Sequence, residues 1–164
     1  MDRRAFLGGA VVLGAAAMAG AVHAEGAAAG KGTAGLMVTN ATTLGLIAKV
    51  RAAAVQCEDK AAACEQHCSE RLNSGDTSFV RCSTTVQQMQ AVCAAVGKLA
   101  ALKSVHLGAM LDACVAACKS CKEACEEHKE HWAHGMHMEC KECAAACDGL
   151  IAAAGALKTG WKVG

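Results

Sequence analysis

Cysteine recurs in this chain at the spacing of a buried helical seam. One stretch, about Leu44 to Leu72, carries Val50, Ala54, Cys57, Ala61, Cys64 and Cys68, advancing by 4, 3, 4, 3 and 4 residues. That alternation keeps side chains on one face of a helix and is the pattern by which bundles bury their cores. A second stretch, about Ser78 to Leu102, gives Phe79, Cys82, Val86, Met89, Cys93, Val96 and Ala100. A third, about Val105 to Lys129, gives Met110, Cys114, Cys118, Cys121 and Cys125, and a fourth, about Met136 to Leu157, gives Met136, Cys140, Cys143 and Cys147. All 12 cysteines thus fall where a bundle ordinarily places Leu, Ile or Val.

The remaining composition agrees with helices and with little else. The chain has no Pro, no Tyr, two Phe and two Trp, whereas sandwiches and barrels need β-branched and aromatic residues between frequent turns. Asn73-Ser74-Gly75-Asp76 stops the first helix, with Asp76 or Thr77 available to cap the second. Lys103-Ser104 marks a tight link, and Gly135 breaks the last one. Connections this short force consecutive helices antiparallel, so the expected fold is all-α, an antiparallel up-down-up-down four-helix bundle. Sixteen basic against 15 acidic residues leave a formal charge of +1, which provides no electrostatic footprint for nucleic acid.

The first residues read as a targeting segment rather than as part of the fold. Arg3-Arg4-Ala5-Phe6-Leu7 precedes an uncharged Gly/Ala/Val run that ends in Val22-His23-Ala24, a cleavage-type triplet. The expected organisation is a twin-arginine signal peptide over 1–24, a flexible Gly-rich lead-in over 25–42, the Cys-lined bundle over 43–158 and a short tail over 159–164. On this reading the protein is exported by the twin-arginine route to the periplasm or another extracytoplasmic compartment, with no membrane span after cleavage. Folding before export would let the thiols be buried or capped by metal before they meet an oxidant.

Three chemistries suit a core lined with thiols. Disulfides would make a stapled structural or interaction module, and the pairs Cys121-x3-Cys125 and Cys143-x3-Cys147 resemble a twin hairpin. Neighbouring cysteines on one helix, however, do not reach the ~3.8 Å Cβ separation that a disulfide favours. Zinc fits Cys118-x2-Cys121 with Cys140-x2-Cys143 by spacing, although both pairs lie inside helical repeats and eight cysteines are left over. Cu(I) is the third, a soft ion served by thiolates and thioethers; two cysteines at i,i+3 or i,i+4 can bracket one ion without bending the helix. With each thiolate bridging two ions, Cys57, Cys64, Cys68, Cys82, Cys93, Cys114, Cys118, Cys121, Cys125, Cys140, Cys143 and Cys147 would hold multiple copper ions per chain. The disulfide module and a zinc-thiolate buffer stand as the alternatives.

The leader motif, the Cys-lined four-helix pattern and the runs Cys114-x3-Cys118-x2-Cys121-x3-Cys125 and Cys140-x2-Cys143-x3-Cys147 together resemble the bacterial copper storage proteins, over essentially the whole chain. The resemblance implies an extracytoplasmic bundle that stores Cu(I), a homotetrameric assembly, and supply of copper to an enzyme such as particulate methane monooxygenase. In that family a Met- and His-bearing mouth at one bundle end is thought to admit copper. Here soft ligands fall at both ends: His128, His131, His134, Met136, His137 and Met138 at one, and His106 and Met110 at the other, with Met37 nearby. The His row equally suits a solvated loop, while Met89 and Met110, on the seam, read as core filler. No Glu-x-x-His di-iron motif, phosphate loop or nucleophile elbow occurs, and the expected role is not enzymatic.

Overall fold

The computed structural model describes residues 37–161. The expected leader over 1–24 lies outside the described residues, as do 25–36 of the lead-in and 162–164 of the tail. Four helices form the described body: α1 (Ala41–Asn73), α2 (Val80–Ala101), α3 (Leu107–Glu126) and α4 (Met138–Gly160). Each packs on two neighbours in the cyclic order α1, α2, α3, α4, which is the arrangement that short links between consecutive helices impose. No strand occurs among the described residues; the only pairing of that type is a single bridge between Met37 and Ser104.

Local chemistry sets the helix ends and moves several of them from where the repeat alone suggests. The side chain of Asn40 accepts from Thr43 N–H at 3.0 Å, so α1 begins at Ala41, three residues before the expected start at Leu44. Asp76 accepts from Ser78 N–H at 3.2 Å and opens a short 3-10 turn, Thr77–Phe79, ahead of α2. The α2–α3 link turns on Lys103 at φ 52°, and Val38 N–H donates to the Lys103 carbonyl at 2.8 Å, tying the lead-in to that corner. The third helix is shorter than its repeat predicts, ending at Glu126; Lys129–His134 wind instead into a 3-10 segment that Gly135 terminates at φ 71°.

The core divides into two parts along the bundle axis. The cysteines run from the α1–α2 and α3–α4 turns toward mid-bundle, with Cys93 and Cys114 reaching past the midpoints of α2 and α3, and all 12 are fully buried. The opposite end holds Ile47, Val50, Val96, Leu107, Leu111, Leu150 and Leu157, all at most 2% exposed. Large aliphatics supply roughly 1.5–3 kcal/mol each when buried, so the apolar end carries most of the hydrophobic stabilisation. The thiols thus form a chamber open toward the α1–α2 and α3–α4 turns and floored by aliphatic packing toward the α2–α3 link.

Gly135 provides a direct check on the turn over that chamber. A Cβ added there meets nothing within 4 Å, so substitution costs only the left-handed backbone. Gly135→Ala is expected to lower unfolding free energy by about 1 kcal/mol with helix content unchanged, measured by urea denaturation followed by circular dichroism.

Candidate metal centre

Antiparallel packing brings together cysteines that are far apart in sequence. Cys64 of α1 is the hub: its Sγ lies 3.8 Å from Cys82 of α2, 3.9 Å from Cys125 of α3 and 3.8 Å from Cys140 of α4. Cys82 and Cys125 are 3.6 Å apart, and Cys121 and Cys143 3.7 Å. Deeper in the chamber, Cys57 lies 3.9 Å from Cys147, and Cys93 4.0 Å from Cys118. These separations suit S–H···S contacts and lie far outside the ~2.05 Å of a disulfide; all 12 cysteines are free.

Four groups have ligand atoms within 4.8 Å of one another: Cys64, Cys68, Cys82 and Cys140; Cys57, Cys93 and Cys118; Cys64, Cys125 and Cys143; and Cys121, Cys143 and Cys147. Every group draws on two or more helices, so the natural donor set is an inter-helix cluster rather than an i,i+4 pair. Cys64 and Cys143 each belong to two groups, as bridging thiolates would. The ribbon-like set Cys118, Cys121, Cys140 and Cys143 forms no group of its own, because Cys140 and Cys143 enter different clusters. Cys114 stands outside the groups but shares hydrogen bonds with Cys118 and Cys93.

The thiols also share protons unequally. A hydrogen bond from Cys118, seconded by Cys147, pulls Cys57 far below the usual thiol range, and Cys125 does the same to Cys140. Cys118 and then Cys93 lower Cys114 to about 4, while Cys125 helps to lower Cys82 to about 5. Their partners move the other way: Cys93 is pushed up by Cys114, and Cys147 by Cys118. Burial opposes ionisation of these thiols, while hydrogen bonds between them lower some and raise others.

The two ends of the bundle differ in kind. At the chamber end, His67 Nε2 and His137 Nδ1 lie 2.9 Å apart, and His67 also faces Glu139 at 3.6 Å. His128 is 7% exposed and stacks on Phe79 with centroids 3.9 Å apart and an interplanar angle of 3°. Its Nε2 is buried with no hydrogen-bond partner. Burial, reinforced by His67, holds His137 below the usual histidine range and keeps it in the neutral form that can ligate metal. His137 also adopts φ 55°, a left-handed conformation uncommon outside Gly, Asn and Asp. His131 and His134 are exposed, Met136 is 45% exposed and Met138 is half-buried.

At the opposite end His106 and Met37 are exposed and Met110 is only half-buried. The seam assigned through Met110 is therefore corrected: the buried face of α3 runs Leu107, Leu111, Cys114, Cys118, Cys121, Cys125, alternating 4 and 3, and Met110 stands one position off it. Met136 likewise precedes α4, which begins at Met138, and is not a core residue. His67 was missed by the sequence reading because it sits between two seam cysteines on a helix rather than in the His-rich link. Its i+3 relation to Cys64 was the available signal.

Comparison with known proteins places these features together. A family model described as copper storage protein matches residues 27–152. Among solved structures, the chain is similar to a cytosolic copper storage protein from Streptomyces lividans in a study of copper loading with five coppers. The match has 24% identity, a TM-score of 0.65, and covers 75% of this chain and 100% of that one. A comparison with curated proteins found no match.

The Streptomyces protein corrects the expected localisation. Export to the periplasm rested on residues 1–24, outside the described residues, whereas the similar bundle belongs to a cytosolic protein. The physical reason is that a chamber of free thiols does not require export: reducing agents of the cytosol keep such thiols available for metal.

Anaerobic thiol counting tests the chamber. The native protein is expected to react slowly with a thiol reagent, and the metal-free protein in denaturant to yield all 12 thiols. Recovery well short of that number would show stapling.

Proposed function

The chain belongs to the copper storage protein family, whose role is storage rather than catalysis, and from that premise we propose that it holds many Cu(I) ions on the 12 cysteines of its chamber. The observation that carries this reading is the sharing of Cys64 and Cys143 between clusters, which leaves sulfur contacts linking all four helices. Thiolate is a soft donor and suits Cu(I). A closed zinc site wants four ligands to itself, and chains of shared thiolates favour a polynuclear cluster instead. The proposed ligands are Cys57, Cys64, Cys68, Cys82, Cys93, Cys114, Cys118, Cys121, Cys125, Cys140, Cys143 and Cys147.

Copper enters, in this reading, at the His end. Three features support it: the orphaned Nε2 of His128, the paired His67 and His137, and the aliphatic seal at the far end. Buffering of copper, and its supply to a copper enzyme, follow from a reversible store whose ions leave by the same route. Each thiol must lose its proton to bind, so loading releases protons and affinity falls as pH falls.

Titration of the reduced protein with Cu(I) against a competing chelator tests the store. Many equivalents are expected, and saturation at one or two would defeat the proposal. Cys118→Ala with Cys121→Ala is expected to lower capacity by about two ions while leaving the bundle helical, because thiolates are lost as ligands and Ala favours helix. For the entry, His137→Asn keeps a residue tolerant of the left-handed backbone. It is expected to slow loading in stopped-flow measurements without changing final capacity; an unchanged rate would remove His137 from the path.

A further inference from the structure

The chamber holds one sulfur that is not a thiol. Met89 is fully buried on α2, and among the described residues it is the only methionine that is. Its Sδ lies 3.4 Å from Cys57 Sγ of α1 and 3.3 Å from Cys93 Sγ one turn along its own helix. Both contacts are shorter than the 3.6–4.0 Å separations among the thiols. Cys57 and Cys93 belong with Cys118 to the deepest cluster, next to the aliphatic half. Met89 therefore stands within the sulfur shell of that cluster rather than beside it.

We propose that Met89 Sδ is a Cu(I) ligand, the neutral thirteenth sulfur of the chamber, completing the site formed with Cys57 and Cys93. A thioether is a soft donor that needs no deprotonation and brings no charge. Charge is the reason for having it there. Two thiolates on Cu(I) leave a net negative centre, and burial of net charge in an apolar surround is costly. The residues below the site are Ala54, Val96, Leu111 and Leu150, none of which can supply a counter-charge. Each further thiolate at that depth, Cys118 of the same cluster included, adds another negative charge, whereas Met89 adds a donor with none. The two thiol protons leave as copper binds, and the copper stays in its +1 state throughout. Sequence spacing could not separate this role from packing, since a seam methionine is usually filler; the two short sulfur contacts do.

The inference rests on the storage reading, and the test keeps the two apart. Selenomethionine-labelled protein is loaded with Cu(I) and copper-edge X-ray absorption is recorded for the wild type, Met89→Leu and Met138→Leu, Leu being close in volume to Met. A copper–selenium scattering path is expected in the wild type, lost or sharply reduced in Met89→Leu and retained in Met138→Leu. Absence of that path, or its persistence in Met89→Leu, in a protein that still holds many copper ions would overturn the role of Met89 and leave storage intact. Capacity of only one or two ions in the wild type would overturn both. Thermal melting of the metal-free proteins checks that Met89→Leu folds as the wild type does; equal melting combined with loss of the path assigns the effect to ligation.

Discussion

The rest of the structure depends on the burial of 12 thiols in one connected network. A thiol is a weak hydrogen-bond donor and a small hydrophobe, so a core built from it packs less apolar surface than one built from leucine. The protein manages this by segregation. Ile47, Val50, Val96, Leu107, Leu111, Leu150 and Leu157 fill the end of the bundle toward the α2–α3 link and hold the helices in place, leaving most of the remaining core to sulfur. Surface pairs such as Lys60 with Glu142 and Lys122 with Asp148 cross between helices but are exposed, and add little beside that packing.

Segregation also gives the chamber direction. Its floor is aliphatic, its walls are cysteines from all four helices, and its upper end is a ring of imidazoles around Phe79. A neutral His137 in contact with His67, above a chamber of thiols, presents donors of increasing softness along the axis. Imidazole suits several metals, whereas thiolate selects soft ones. In the proposed storage role such an order draws Cu(I) inward, with the proposed ligand Met89 ending the series as a donor that carries no charge.

The unusual backbone positions serve the same end. Gly75 at φ 90° and Gly135 at φ 71° close the two turns over the chamber, and His137 at φ 55° holds its ring toward His67 and His131. A left-handed histidine at the chamber rim is local strain held by surrounding contacts, here the hydrogen bond with His67 and ring contacts with Phe79 and His128. The far corner carries its own left-handed residue, Lys103, whose carbonyl accepts from Val38 N–H.

The sequence by itself determined the helices and the buried faces, because a 4-3 alternation has only one reading on a helix. Cys57, Cys64 and Cys68, or Cys118, Cys121 and Cys125, must share a face wherever their helix sits. It also set the chemistry as that of buried thiols, with copper, zinc and disulfides all compatible with the spacing. Only the tertiary structure decided which cysteines meet: Cys64 with Cys82, Cys125 and Cys140 is a product of how four helices align along their axes, which no single helix encodes. The same alignment decided that the cysteines gather at one end, that His67 joins the histidines of a distant link, and that Met89 touches two thiols while Met110 lies off the seam. Periodicity fixes direction around a helix axis, but position along the bundle is set by packing between helices, and donor sets are made of neighbours in space.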